Sequence, residues 1–225
     1  MNIEETRDVE RRVRGHAALA DSTRLRVVDR LCVSDASASE LGALLDVPSN
    51  LLAHHLKVLE QAGLVARRKS EGDGRRTYLT LVRDAMPAAA SPVIAARPQR
   101  LLFVCTANTA RSHLAAALWR TASPIQAVSA GTLPGERIHE GAVAAARRQG
   151  VDLPVVPPAP LAEVQRRGDL VITVCDRAHE ELNGADWAHW SVPDPVGGGQ
   201  AAFDHTLEVL AGRVHDLAPR LRAAA

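Results

Sequence analysis

Residues 101–112 read Leu101-Leu102-Phe103-Val104-Cys105-Thr106-Ala107-Asn108-Thr109-Ala110-Arg111-Ser112. This pattern commits the segment to an apolar strand, a tight loop and a helix in immediate succession. Small residues let the loop curl so that backbone N–H groups point inward, and the helix starting near Arg111 adds its positive end. A tetrahedral dianion can then be held by Thr106, Ala107, Asn108, Thr109, Ala110 and Arg111 without a metal. Arg111 can clamp two of its oxygens. The same helix end and cation favour the thiolate of Cys105, a nucleophile, and Ser112 is placed to donate a hydrogen bond to it. The rival reading makes Cys105 a buried residue at a strand end and Arg111 a surface charge. The strand ahead and the helical pattern behind (Leu114, Leu118, Trp119) favour the oxyanion loop.

At 225 residues the chain has room for two small domains. No apolar run reaches membrane-spanning length, and the first residues, Met1-Asn2-Ile3-Glu4-Glu5, do not resemble a signal peptide. The expectation is a cytoplasmic protein with no membrane partner. Cys32, Cys105 and Cys175 are too few and too scattered for a disulfide scaffold, so they read as core residues or redox chemistry. Residues 1–90 hold 14 Lys+Arg against 13 Asp+Glu, so a nucleic-acid partner has to be argued from local charge placement.

Residues 85–99 carry three prolines and many alanines without amphipathic periodicity and read as a linker between domains at 1–84 and 100–225. Before it, helical patterns cover about 8–20, 22–31 (after Asp21 as N-cap), 39–45 and 49–62, with Gly63 as C-cap. Strand candidates at 64–68 and 77–82 flank a loop of hairpin composition. Beyond the linker, strands at 101–104, 127–129 and 170–174 alternate with helices at 112–121, 137–149, 161–166 and 201–221. That alternation implies a three-layer α/β domain with a central parallel sheet and a ligand at the C-terminal strand ends.

The run Leu19-Ala20-Asp21-Ser22-Thr23-Arg24-Leu25-Arg26, with Leu51-Leu52-Ala53-His54-His55-Leu56-Lys57-Val58-Leu59-Glu60-Gln61-Ala62-Gly63-Leu64-Val65, resembles the arsenical-resistance-regulator family of winged helix-turn-helix repressors. The resemblance covers about residues 10–82. It implies a mainly-α domain, a homodimer and an operator DNA partner, with Ser49, Asn50, Leu51, Ala53 and His54 facing the bases. The residues themselves support this: two helices separated by Asp46-Val47-Pro48 have helix-turn-helix spacing. Arg67, Arg68, Lys69, Arg75 and Arg76 outnumber Glu71 and Asp73 in the hairpin and suit phosphate contact. A plain solvated turn is the alternative. His54-His55 reads as groove or core residues before it reads as a metal pair. The family's metal-sensing cysteines fall on Ser37 and Ser39, and Cys32 lies five residues too early. No metal site is therefore expected, and Cys32 reads as core packing, with a dimer-spanning or redox role as the alternative.

Residues 100–222 resemble the low-molecular-weight protein tyrosine phosphatase fold, specifically its arsenate-reductase branch. The resemblance rests on the Cys105 loop, Ser129-Ala130-Gly131-Thr132, Val171-Ile172-Thr173-Val174-Cys175-Asp176, and His189-Trp190-Ser191-Val192-Pro193-Asp194-Pro195. It implies Cys105 as nucleophile, Arg111 as clamp, Asn108 as loop buttress, Ser112 as thiolate stabiliser and Asp194 as general acid. Chemistry asks for that acid independently, because an oxygen leaving phosphorus or arsenic departs poorly unless protonated. Pro195 stiffens the Asp194 loop and Gly197-Gly198-Gly199 can hinge it; read alone, the segment is only a turn. Asp169, Asp176 and Asp204 read as caps or surface charges.

A phosphotyrosine site is expected to wall the ring with aromatics, yet the chain holds one tyrosine and the segment after Asp194 is Pro195-Val196-Gly197-Gly198-Gly199, which favours a small inorganic oxyanion. Arsenate reduction also needs a resolving thiol, and Cys175 stands at a matching strand end; an inert strand-end residue is the alternative. The further relay cysteine of the thioredoxin-coupled branch is replaced by Leu182, and His113 follows the loop serine where another residue is usual. Electrons are then expected from an external thiol or redoxin, with no bound cofactor. The leading expectation is a DNA-binding regulator fused to a domain that reduces arsenate. The alternatives are an oxyanion or redox sensor without turnover, and a phosphatase.

Overall fold

The protein is described by a computed structural model covering residues 3–86, 94 and 96–221, with side chains from Thr6 onward. Residues 87–93 and 95 of the expected linker lie outside the described residues, and its first residue, Ala85, ends a 3-10 turn, Arg83–Ala85. The chain divides into two compact units.

The N-terminal unit contains α1 (Ile3–Leu19), α2 (Ser22–Val33), β1 (Ala36–Ser37), α3 (Ala38–Leu45), α4 (Ser49–Gln61), β2 (Val65–Lys69) and β3 (Thr77–Leu81). Helix α2 starts where Asp21 predicts: its carboxylate accepts the Arg24 N–H at 2.9 Å. Val27, Leu31, Leu41, Leu52, Leu56 and Leu59 close the core. β2 and β3 form the expected antiparallel hairpin, and β1 pairs antiparallel with β3. That two-residue strand has no period to read in the sequence. It ends on Ser37, which caps α3: Ser37 Oγ accepts the Glu40 N–H at 3.3 Å and Glu40 Oε2 accepts the Ser37 N–H at 2.7 Å. Ser39 Oγ lies 3.0 Å from the same hydroxyl. The positions that carry thiolates in the resembled family thus serve a helix start here. Cys32 is half-buried against the core, in line with a packing role.

The C-terminal unit contains β4 (Arg100–Cys105), α5 (Arg111–Ala122), β5 (Gln126–Gly131), α6 (Glu140–Arg148), α7 (Leu161–Val164), β6 (Asp169–Thr173), α8 (Asp176–Leu182), β7 (Ala188–His189) and α9 (Gly199–Leu217). The four strands are all parallel, in the order β5-β4-β6-β7. Every residue of β4 is buried, so both faces of the sheet are covered and three layers result. Phe103 packs against Trp119 of α5 and against Trp190, with ring centroids 6.1 and 5.6 Å away. Strand order reverses at β4: the next strand in the chain lies on one side and β6 on the other, which opens a crevice at the C-terminal end of β4. Cys105 ends that strand.

At the opposite end of the sheet Asp169 is not a surface charge. Arg100 Nε and Nη2 donate to its two oxygens at 2.8 and 2.6 Å, and the Arg166 N–H adds a third bond at 2.8 Å. Burial raises the carboxyl's pKa, but the Arg100 and Arg166 bonds outweigh it and hold the group below its ordinary value. A carboxylate with a depressed folded pKa contributes stability above its unfolded value, and that contribution is lost as pH falls through the lower folded value. Asp169→Asn, which strands Arg100 in a buried site, is expected to cost about 3–5 kcal/mol in urea unfolding at pH 7. The gap from the parent protein should narrow below about pH 4; a gap independent of pH would remove the ion pair as its cause.

Candidate functional site

The Cys105 loop closes on itself through short-range bonds. The Asn108 N–H donates to Cys105 Sγ at 3.2 Å, and Ser112 Oγ lies 3.1 Å from the same sulfur. Asn108 takes a left-handed backbone (φ 52°), and its side chain spans the loop: Oδ1 accepts the Ala159 N–H at 2.9 Å and Nδ2 donates to Ser112 Oγ at 2.8 Å. Ser112 Oγ accepts from Asn108, and its own hydrogen remains available to Cys105 Sγ. Gly131 at the end of β5 is required by close approach: a Cβ there would stand 2.6 Å from the Thr106 carbonyl oxygen and 3.0 Å from Asn108 Cβ.

A cavity of about 520 Å³ opens on this loop, lined by Cys105, Ala107, Thr109, Ala110, Arg111 and Asp194, together with Arg137–Glu140 and Val196. Arg111 lies low in it, with Nη1 donating to the Val192 carbonyl at 2.9 Å and Nη2 3.1 Å from Asp194 Oδ2. Burial works against its charge, but negative charge at Cys175, Cys105 and Asp194 outweighs this and raises its pKa. Asp194 is half-exposed, on a segment followed by Gly197 and Gly199, both at positive φ. Two of the expected loop ligands do not face the cavity. Asn108 buttresses the loop from behind, and Thr106 turns to the second cysteine, its N–H donating to Cys175 Sγ at 3.2 Å and its Oγ1 lying 3.4 Å from the same sulfur.

Cys175 is buried and also caps α8 through the Ala178 N–H at 3.4 Å. Burial pushes its thiol pKa up and the charge on Cys105 adds to this, against the opposing pull of Arg111, Thr106 and Ala178. His113 is buried too, its Nδ1 3.4 Å from Ser129 Oγ, and burial pushes its pKa down to about 4, so it stays neutral. The wall at 137–139 is a departure from the sequence reading, which begins a helix at Arg137. Helix α6 starts at Glu140, with His139 as its cap: Nδ1 accepts the Gly141 N–H at 3.0 Å and the ring stacks on Phe203 at 4.8 Å. A Ser, Thr, Asp or Asn marks such a cap more often, so the sequence carried no clear signal for it.

In the N-terminal unit one face of α4 is open. Ser49, Asn50, Leu51, Ala53 and His54 are exposed, Lys57 extends the same face by a turn, and Leu52, His55, Leu56 and Leu59 are buried. His54 and His55 therefore point apart in role; His55 Nδ1 sits 3.5 Å from Asp21. In the hairpin Arg67 pairs with Glu60 at 2.5 Å, and Arg76 lies 3.8 Å from Glu40. Arg67, Arg75 and Arg76 are exposed and Arg68 half-buried.

The C-terminal unit is thus a parallel-sheet α/β domain in which a buried cysteine at a strand end and a buried arginine face one cavity. Residues 100–225 match the profile of the low molecular weight phosphotyrosine protein phosphatases, and the chain belongs to that family. Residues 19–68 match a helix-turn-helix domain. Over 75 residues the chain is 36% identical to a Halobacterium salinarum protein assigned as an arsenical resistance operon repressor, covering 32% of this chain and 57% of that one. Over 69 residues it is 36% identical to an uncharacterised helix-turn-helix regulator, YceK of Bacillus subtilis, covering 30% and 66%. The chain thus spans about three fifths of the length of the curated relatives it matches. The C-terminal fold is similar to that of a YwlE mutant from Bacillus subtilis, with a TM-score of 0.50 and 23% identity over 54% of this chain and 97% of that one. Among the described residues no helix is long and apolar enough to cross a membrane.

Proposed function

We propose that this chain is a DNA-binding transcriptional regulator whose C-terminal domain takes up a tetrahedral oxyanion at Cys105 and reduces arsenate. The observation that carries the reductase reading is the second thiol. Cys175 is tied to the residue after the nucleophile by two hydrogen bonds, so it stands at the edge of the loop that would hold the adduct.

In this reading the Cys105 sulfur, which accepts the Asn108 N–H and lies beside the Ser112 hydroxyl, bonds to arsenic as its thiolate while Arg111 and the loop amides hold the oxygens. Asp194 protonates one oxygen, which leaves as water. Cys175 then attacks the Cys105 sulfur: an S–S bond forms, the S–As bond breaks, and its electron pair stays on arsenic, which departs as arsenite. Two thiols have become one disulfide and arsenic(V) has become arsenic(III). An external thiol or redoxin restores the thiols, because Leu182 stands where a relay cysteine would be.

A second reading, hydrolysis of a phosphate ester, is favoured by the cavity's volume, which far exceeds that of an inorganic oxyanion. Against an aryl ester stands the lining, in which no Phe, Tyr or Trp occurs among the described residues. The test is turnover of the purified protein with arsenate and with an aryl phosphate, each with a monothiol, a dithiol and a thioredoxin. Arsenite release is the expected result. Ester hydrolysis alone would establish the phosphatase reading, and binding without turnover a sensor.

On the DNA side the reading is a homodimer with α4 in the major groove and the hairpin along the backbone, supported by the single exposed face of α4. Changing Arg67, Arg68, Arg75 and Arg76 together to Ala is expected to weaken binding on all sequences and flatten its salt dependence, measured by titration at several salt concentrations. Asn50→Ala should cost about 1–3 kcal/mol on the operator and much less on random DNA. Equal losses on both would take Asn50 out of the readout.

A further inference from the structure

A chain of hydrogen bonds behind the cysteine loop involves six residues to which the proposed chemistry gives no part. Asp176, directly after Cys175, is fully buried rather than a surface charge. Its Oδ1 accepts the Ser191 hydroxyl at 2.7 Å and faces His189 Nε2 at 3.1 Å. His189 is 1% exposed, and its other ring nitrogen lies 2.9 Å from Thr173 Oγ1. The Thr173 hydroxyl is in turn 2.5 Å from Asp186 Oδ2 and 3.5 Å from the Ala188 carbonyl. His179 Nδ1 meets the same Asp186 oxygen at 2.7 Å, and its ring stacks on His189 with centroids 4.2 Å apart and planes 8° from parallel.

His179, Asp186 and His189 bring potential metal ligands within 4.8 Å of one another. Parallel rings, however, send their in-plane lone pairs side by side rather than converging on one ion, so the group is a hydrogen-bond chain. With both carboxylates ionised, proton counting gives its direction. Thr173 has one hydroxyl hydrogen, and both the Asp186 carboxylate and the Ala188 carbonyl can only accept. Thr173 is therefore the donor to them, and its oxygen receives a hydrogen from His189 Nδ1. On the other side, the Asp176 carboxylate can only accept from Nε2.

We infer that His189 donates from both ring nitrogens, a cation held between Asp186, through Thr173, and Asp176, and that through Asp176 and Ser191 it positions the segment Ser191–Asp194. That segment supplies the Val192 carbonyl that seats Arg111 and the carboxylate of Asp194 beside the same guanidinium. His189 is a positioning residue: removing one of its two hydrogen bonds frees Asp176 to turn, Ser191 follows, and the clamp and the acid lose their common support. Positional shifts of about 1 Å at a reacting centre can cost on the order of 100-fold in rate. The inference rests on the roles given above to Arg111 and Asp194.

The test uses the full-length protein labelled with nitrogen-15 in histidine. At pH 7 the His189 ring, assigned by its loss in His189→Gln, is expected to show a proton on each nitrogen; a bare ring nitrogen there overturns the two-sided donor. The positioning is read in Ser191→Ala, which leaves the His189 bonds in place and is mild enough to fold. Inorganic phosphate affinity is expected to fall roughly tenfold and kcat/KM to fall towards 100-fold, with the His189 spectrum unchanged. Phosphate affinity within twofold of the parent protein overturns the link to the clamp. Asp176→Asn and His189→Gln should lose less together than the sum of their separate losses, as members of one network do; strict additivity counts against it. A parent protein that binds no phosphate overturns the oxyanion assignment itself, whereas the ring-nitrogen spectrum decides the state of His189 independently.

Discussion

Cys105→Ser is expected to lower both arsenate reduction and aryl-phosphate hydrolysis by a thousandfold or more while leaving phosphate binding measurable. A serine hydroxyl is a poor nucleophile without a base, and no carboxylate or imidazole among the described residues bonds the sulfur: the Asn108 N–H donates to it and the Ser112 hydroxyl lies 3.1 Å away. The oxyanion keeps Arg111, which stays seated by Asp194 and the Val192 carbonyl when the sulfur is gone. Steady-state turnover with both substrates and a phosphate titration separate these effects. Turnover within tenfold of the parent protein would mean that the chemistry happens elsewhere.

Cys175→Ser is expected to halt arsenate reduction at the Cys105 adduct, with no arsenite released, and to leave ester hydrolysis within a few-fold of the parent protein. Only reduction needs a second sulfur; ester hydrolysis is completed by water, and the serine can still accept the Thr106 and Ala178 N–H bonds that shape the loop. The raised pKa of Cys175 adds a pH signature. Burial and the charge on Cys105 keep it a thiol at rest, so the reductive step should quicken as pH rises towards that pKa, while ester hydrolysis should not follow the same curve. Multiple arsenate turnovers by Cys175→Ser would mean that the external thiol attacks Cys105 directly.

The parts of this protein that the sequence determined are those whose interactions are local. The Cys105 loop is legible because its bonds join Cys105, Asn108 and Ser112 within eight consecutive residues, after a strand and before a helix that each carry their own pattern. The helix-turn-helix is legible for the same reason: the apolar period of α4 marks Leu52, Leu56 and Leu59 as core, and whatever remains is the face left for a partner. The tertiary structure alone decided the two-residue strand β7 and the seven-residue helix α8, too short to show a period, and the wall at 137–139. It also decided which carboxylates are buried. Asp169 meets an arginine 69 positions away, and Asp176 meets a histidine and a serine 13 and 15 positions on, where the sequence reads only caps and surface charges. The reason is physical: a carboxylate at the start of a helix or strand looks the same in sequence whether water or a distant cation satisfies it, and only the packing of the parallel sheet fixes which of the two is within reach.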